Sequence, residues 1–428
     1  MKRKPGDLPQ FGTYSEVEGT GIRQTRALSH WEGVFFCRLD PGGAMAKLEH
    51  YIDVGDRKLR CGYTTGTCAA AAVRGAAELL LLGRRLSAVR VDTPAGIQVE
   101  AELLELSAGP GWACCAVRKD GGDDPDITDG TLIFARVERT DTPGVEIDGG
   151  EGVGRVTRPG LDQPVGAAAI NSTPRRMIRE QAEAVLQESG ASGGLRAVIS
   201  VPEGQRLAGG TFNPRLGIDG GISILGTSGI VRPMSEEALI RSVHLELDLV
   251  RASGAEDVLV TPGNYGEDFS RDVLGLRLDR WALCSNYVGE AIDHARGLGF
   301  RSLLLVGHLG KLVKVAAGIM NTHSRTADGR RETMAAHTAL CGGDRTLVER
   351  VFDAPTTDGG VELLEEAGLK EAVMASLAAA LDRRLKARAG ADMEIEALFF
   401  SNRFGILGQT PGAARLLARH RTEYNDRT

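Results

Sequence analysis

The chain has 428 residues, 42% hydrophobic and 25% charged, with 56 glycines and a formal net charge of −6. That is the make-up of a globular protein large enough for two or three domains. Aromatic residues reach only 5%, and together with the acidic balance this excludes the basic, aromatic-lined groove of a single-stranded nucleic-acid binder.

In chain order, residues 1–44 show no core periodicity and are expected to form a disordered extension, with Met45 as an alternative start. No apolar run approaches the roughly 18 to 20 residues that cross a bilayer. The seven cysteines lack CxxC or zinc-ligand spacing, so a reduced, cytoplasmic setting and no metal site are expected. An Ala- and Leu-rich run from Thr67 to Leu82 predicts a helix that starts near Thr65 to Thr67 and stops at Gly83. Its unpaired first N–H groups make a clamp for an anion or substrate; alternatively, Thr65 or Thr67 only caps a core helix.

Alternating segments at 88–91, 98–104, 113–117 and 132–138 complete an expected α+β domain over 45–160. The acidic run 120–129 lacks the glycine and terminal glutamate of a calcium loop at the required positions and is expected to be a solvated turn. From about Arg196, apolar runs at 197–201, 222–225, 257–261, 281–283 and 302–306 alternate with helical patterns at 237–252 and 288–296. This predicts a larger α/β domain over 161–428 with a doubly wound, mostly parallel sheet. A helical part at 361–388 and a last strand at 394–400 follow.

Seven blocks then carry a resemblance: 59–72 (LRCGYTTGTCAAAA), 148–161 (DGGEGVGRVTRPGL), 169–178 (AINSTPRRMI), 211–234 (TFNPRLGIDGGISILGTSGIVRPM), 262–269 (PGNYGEDF), 285–290 (SNYVGE) and 305–330 (LVGHLGKLVKVAAGIMNTHSRTADGR). In consistent order over about residues 47 to 410, they resemble the cobalt-precorrin-5B C1-methyltransferase family. The resemblance implies methylation of ring carbon C1 of cobalt-precorrin-5B to give cobalt-precorrin-6A in anaerobic cobalamin biosynthesis. It implies S-adenosylmethionine as methyl donor and cobalt carried by the corrinoid substrate. Neither nucleic acid nor membrane is an expected partner, and a homo-oligomer is left open. The alternative is a non-catalytic carrier of a labile tetrapyrrole.

Ligands of open α/β sheets lie beyond the carboxyl ends of the strands. The loops after Leu225, Thr261, Leu283 and Val306 are therefore expected to meet at one edge, with Gly226, Thr227, Ser228, Gly229, Asn264, Tyr265 and Asn286 holding the donor. Tyr63, Thr64, Thr65 and Thr67 at the helix start are expected to hold substrate. Arg175, Lys311 and Arg325 are the expected partners of its carboxylates. Two histidines, His308 and His323, are the expected general bases, because the unperturbed imidazole pKa lies near operating pH.

Overall fold

A computed structural model describes residues 47–54 and 57–421, so the expected extension at 1–44 lies outside the described residues. The helix Thr65–Leu82 begins where Thr64 turns extended and accepts the Thr67 N–H on its hydroxyl, and it ends at Gly83 in the left-handed region, φ +66°. The cap is thus Thr64, one residue ahead of the expected pair. Alanines at 69–72, 76 and 77 are fully buried. Their small side chains let the helix pack directly on the helix Ser172–Ser189 and on the strands Trp112–Arg118 and Leu132–Thr140. By length and composition this helix is apolar enough to cross a membrane, contrary to expectation, yet 72% of it is buried inside the fold.

The first sheet has the order Leu104–Gly109, Trp112–Arg118, Leu132–Thr140, Gly194–Ser200, Gly144–Gly149. Its alternate residues Ile133, Ala135 and Val137, with Leu195, Ala197 and Ile199, are fully buried on the helix side. The expected strand at 197–201 therefore belongs here and not to the parallel sheet. It pairs antiparallel with Leu132–Thr140, Ala197 opposite Val137, and parallel with Gly144–Gly149, Ala197 opposite Ile147. Residues 222–225 form no strand. Their backbone is shared between two loops, with Ile222 N–H donating to Gly152 O and Ile224 N–H to Ala169 O.

The second sheet has the order Trp281–Leu283, Asp257–Thr261, Ser302–His308, Glu394–Ser401, Gly405–Gln409; the first four strands are parallel and the last is antiparallel. Val258, Val260, Leu303 and Leu305 face one apolar layer, which includes the helices Glu236–Ala252, Val288–Gly297 and Lys370–Ala389. Leu259, Leu304 and Val306 face a second layer with Phe269 and Leu416. Covering on both faces is why these strands read as continuous apolar runs. The expected helical part at 361–388 divides at Gly368, φ +69°, into Thr357–Glu366 and Lys370–Ala389. The fold is α+β followed by α/β, as expected. From strand membership we propose a division between the two parts at about residue 233 and not 160.

Candidate active site

In the second sheet the chain runs from strand Asp257–Thr261 outward to Trp281–Leu283, then crosses back to Ser302–His308 on the other side. The reversal splays the loops after Thr261 and His308 apart and opens a crevice at their carboxyl ends. Lys311 stands in it. Its Nζ donates to Ser285 O at 3.2 Å and to Asn286 Oδ1 at 3.1 Å, and lies 3.6 Å from where a Cβ on Gly263 would be. Asn286 is held from behind by Thr322, whose hydroxyl donates to Oδ1 at 3.2 Å and whose N–H donates to Asn286 O at 2.8 Å. Ser285, just ahead of Asn286, takes the unusual φ of +52°. Burial lowers the Lys311 pKa, partly offset by the Cys284 thiol. Asn264 and Tyr265 are exposed at the start of the adjoining short helix Asn264–Asp268, Tyr265 at 68%.

The loop 226–229 does not join this edge. Gly66 N–H donates to Leu225 O at 3.1 Å, Thr64 N–H to Gly229 O at 3.0 Å, and the Thr67 hydroxyl to Gly229 O at 2.7 Å. Leu225 N–H donates to the Thr65 hydroxyl at 2.9 Å. The Ser228 hydroxyl donates to Ile230 O at 2.9 Å, and Ser228 O accepts Ala95 N–H at 3.0 Å. Only Thr227 is exposed. At the helix start the N–H groups of Thr64, Gly66 and Thr67 are therefore taken by the chain itself. From these contacts we infer that Gly226, Ser228 and Gly229 serve the fold rather than the donor, and that the helix start is a cap rather than a clamp. Cys68 behind the clamp is fully buried, its thiol pushed up to about 12 by burial, which leaves it inert.

Other expected site residues are also structural. The Tyr63 hydroxyl is buried and donates to Arg118 O at 3.0 Å. Arg175 spends its guanidinium on the carbonyls of Ile170, Ile147 and Ala168 at 2.8, 2.9 and 3.3 Å, so it holds backbone and not a substrate carboxylate. The run 120–129 is no solvated turn: Asp120 pairs with Arg60, Asp126 with the buried Lys119 at 2.6 Å, and Asp124 accepts the Met234 N–H. Arg325 is exposed on the loop after Thr322.

The two histidines have a shared geometry that sequence cannot show. His308 Nδ1 accepts the Gly310 N–H at 3.1 Å, capping the helix Leu309–Ala316. His323 Nδ1 accepts the Arg325 N–H at 3.1 Å. A neutral imidazole with Nδ1 as acceptor carries its proton on Nε2, so each ring offers outward a donor and no lone pair. Burial lowers the His308 pKa and keeps it in that neutral form. The general-base roles expected for His308 and His323 do not suit this tautomer.

A second feature completes the site. A cavity of about 280 Å³ lies between the helix start at Thr64 and Thr65, the loop Asp126–Thr128, the segment Thr211–Leu225 and the helix Glu236–Ala252. Its walls are mainly apolar, including Ile127, Phe212, Leu225 and Val231. Glu246 lines it and accepts the Leu283 N–H at 2.6 Å. That bond ties the cavity to the end of the strand that leads into Ser285 and Asn286. Residues for binding an apolar body and residues for binding a small polar one are thus neighbours. Sequence reading passed over Glu246, because a glutamate on an amphipathic helix looks like solvent face.

Among known proteins, the family model described as CbiD matches residues 52–233, and that described as CbiD, C-terminal domain, matches residues 321–411. The chain is 47% identical over 355 residues to a Ruminiclostridium cellulolyticum protein named Cobalt-precorrin-5B C(1)-methyltransferase, covering 83% of this chain and 92% of the relative. An Alkaliphilus metalliredigens protein of the same name is 44% identical over 371 residues, covering 86% of this chain and 97% of the relative. The solved structure of a cobalamin biosynthesis protein (cbiD) from Archaeoglobus fulgidus is 32% identical, covers 66% of this chain and 87% of its own, and has a TM-score of 0.35.

Proposed function

Because the chain belongs to the CbiD family, we propose that it methylates ring carbon C1 of cobalt-precorrin-5B to give cobalt-precorrin-6A, a step in building the corrin ring of cobalamin, with S-adenosylmethionine as donor. The observation that carries this reading is the 47% identity across 92% of a relative of that name. Cobalt enters as part of the substrate. The free thiols of Cys61, Cys68, Cys114, Cys115, Cys284 and Cys341 suit a cytoplasmic setting.

We assign the donor to the crevice beside Lys311. In support, two of the three ammonium protons of Lys311 are taken by Ser285 O and Asn286 Oδ1, and the third is available to a ligand carboxylate. Asn286 and Asn264 offer amide groups to ribose or adenine edges. When bound, S-adenosylmethionine supplies a methyl group already activated by the sulfonium charge. The residues around it have to position the partner and exclude water. Thr64, Thr65, Phe212 and Leu225 in the cavity take one edge of the macrocycle, and Arg325 is the exposed cation for its peripheral carboxylates.

The test is to incubate the full chain with cobalt-precorrin-5B and donor carrying a ¹³C methyl group, and to locate the label by NMR. Label at C1 is expected. Tight corrinoid binding with no transfer would replace the enzyme by a carrier.

A further inference from the structure

Resting on that reading, we propose that Glu246 is the proton acceptor of the methyl transfer. A macrocycle that enters with its ring proton in place gives a base this role. C1 gives an electron pair to the methyl carbon, and the carbon–sulfur bond breaks with its pair left on sulfur. The donor loses its positive charge and the macrocycle gains one. The ring returns to neutrality when a proton conjugated with C1 leaves to a base, so the products are methylated ring, neutral thioether and protonated base.

Three observations select Glu246. Its position comes first: it lines the apolar cavity and its Oε2 is fixed at 2.6 Å by the N–H of Leu283, at the strand end that continues to Ser285 and Asn286. The second is its freedom. The other carboxylate in the cavity wall, Asp126, is occupied by the Lys119 ammonium and by the Thr128 N–H and hydroxyl, whereas Glu246 has no ion-pair partner among the described residues. The charged groups facing it are Arg215 and Glu267, which pair loosely with each other at 3.9 Å, Arg215 also lying over the Trp281 ring. Third is competition: His308 and His323 present Nε2–H groups, as shown above. Burial raises the Glu246 pKa, with Glu267 adding and the Leu283 N–H and Arg215 opposing. A carboxylate made more basic in an apolar pocket takes a proton better than an exposed one.

The test compares the full chain with Glu246→Gln, which keeps an acceptor for Leu283 N–H, and Glu246→Asp, which keeps the acid. In Glu246→Gln, kcat is expected to fall on the order of a hundredfold or more. The KM for cobalt-precorrin-5B and the calorimetric affinity for S-adenosylhomocysteine should stay near those of the unaltered chain. The acidic limb of the kcat profile, rising with pH as Glu246 ionises, should vanish in Glu246→Gln and persist at reduced rate in Glu246→Asp. A kcat within about threefold of the unaltered chain in Glu246→Gln, or an acidic limb that survives in it, overturns the assignment. So does a drop in both binding affinities that matches the drop in rate. If the unaltered chain transfers no methyl group, the proposed function fails and this inference with it.

Discussion

A Cβ on Gly226 would stand 2.3 Å from the Thr64 hydroxyl oxygen, and residue 226 has a φ of +133°. This glycine seats the loop 225–229 on the start of the long helix. Gly226→Ala is therefore expected to destabilise the protein by about 2 to 4 kcal/mol, the combined effect of a strained backbone and an overpacked contact. Thermal melting checks it. A variant that melts like the unaltered chain but has lost donor affinity would return the loop to the donor site.

Lys311 should behave as a binding cation. Lys311→Met is expected to weaken S-adenosylhomocysteine binding by about 1.5 to 3 kcal/mol, as for a lost charge-assisted hydrogen bond. Because burial lowers the Lys311 pKa, a carboxylate ligand should be held below that pKa and released as pH rises through it. The release should come earlier than the usual lysine value of about 10.4. Calorimetry across alkaline pH measures this, and an affinity independent of both substitution and pH would move the donor elsewhere.

His308 should matter for the helix it caps and little for proton transfer. His308→Ala is expected to cost about 1 kcal/mol of stability, while His308→Asn keeps a side-chain oxygen for the Gly310 N–H. Turnover of His308→Asn should stay within a few fold of the unaltered chain. Loss of about a hundredfold in kcat with unchanged stability would restore His308 as the base.

Acid sensitivity should trace in part to His420. It is fully buried in the helix Ala413–Arg421, its two ring nitrogens have no hydrogen-bond partner among the described residues, and its pKa is lowered to about 4 by burial, then by Arg280. A folded pKa below the unfolded value near 6.5 means that its contribution is complete above about pH 6.5. It is lost as pH falls through about 4, amounting to about 3 kcal/mol. His420→Leu should flatten the stability curve between these limits in denaturant titrations. An unchanged slope would place the acid lability elsewhere.

Much of the frame was legible because it rests on local forces. The alanine run and Gly83 specify the helix Thr65–Leu82 through propensity and a left-handed stop. The apolar runs 257–261 and 302–306, separated by helical patterns, specify buried parallel strands because both their faces must be covered. The site depended on partners distant in sequence. The helix start is filled by Leu225 and Gly229, about 160 positions later, and nothing near Thr64 announces them. Strand 194–200 reads equally well in either sheet, since alternation names a buried face but no pairing partner. The tautomers of His308 and His323 follow from two backbone N–H groups, and the basicity of Glu246 from a cavity that several separate segments enclose. Residue type and spacing determined which chemistry this protein carries. Tertiary structure decided which of those groups are already spent on the fold, because hydrogen-bond satisfaction and desolvation depend on every neighbour that packing brings close.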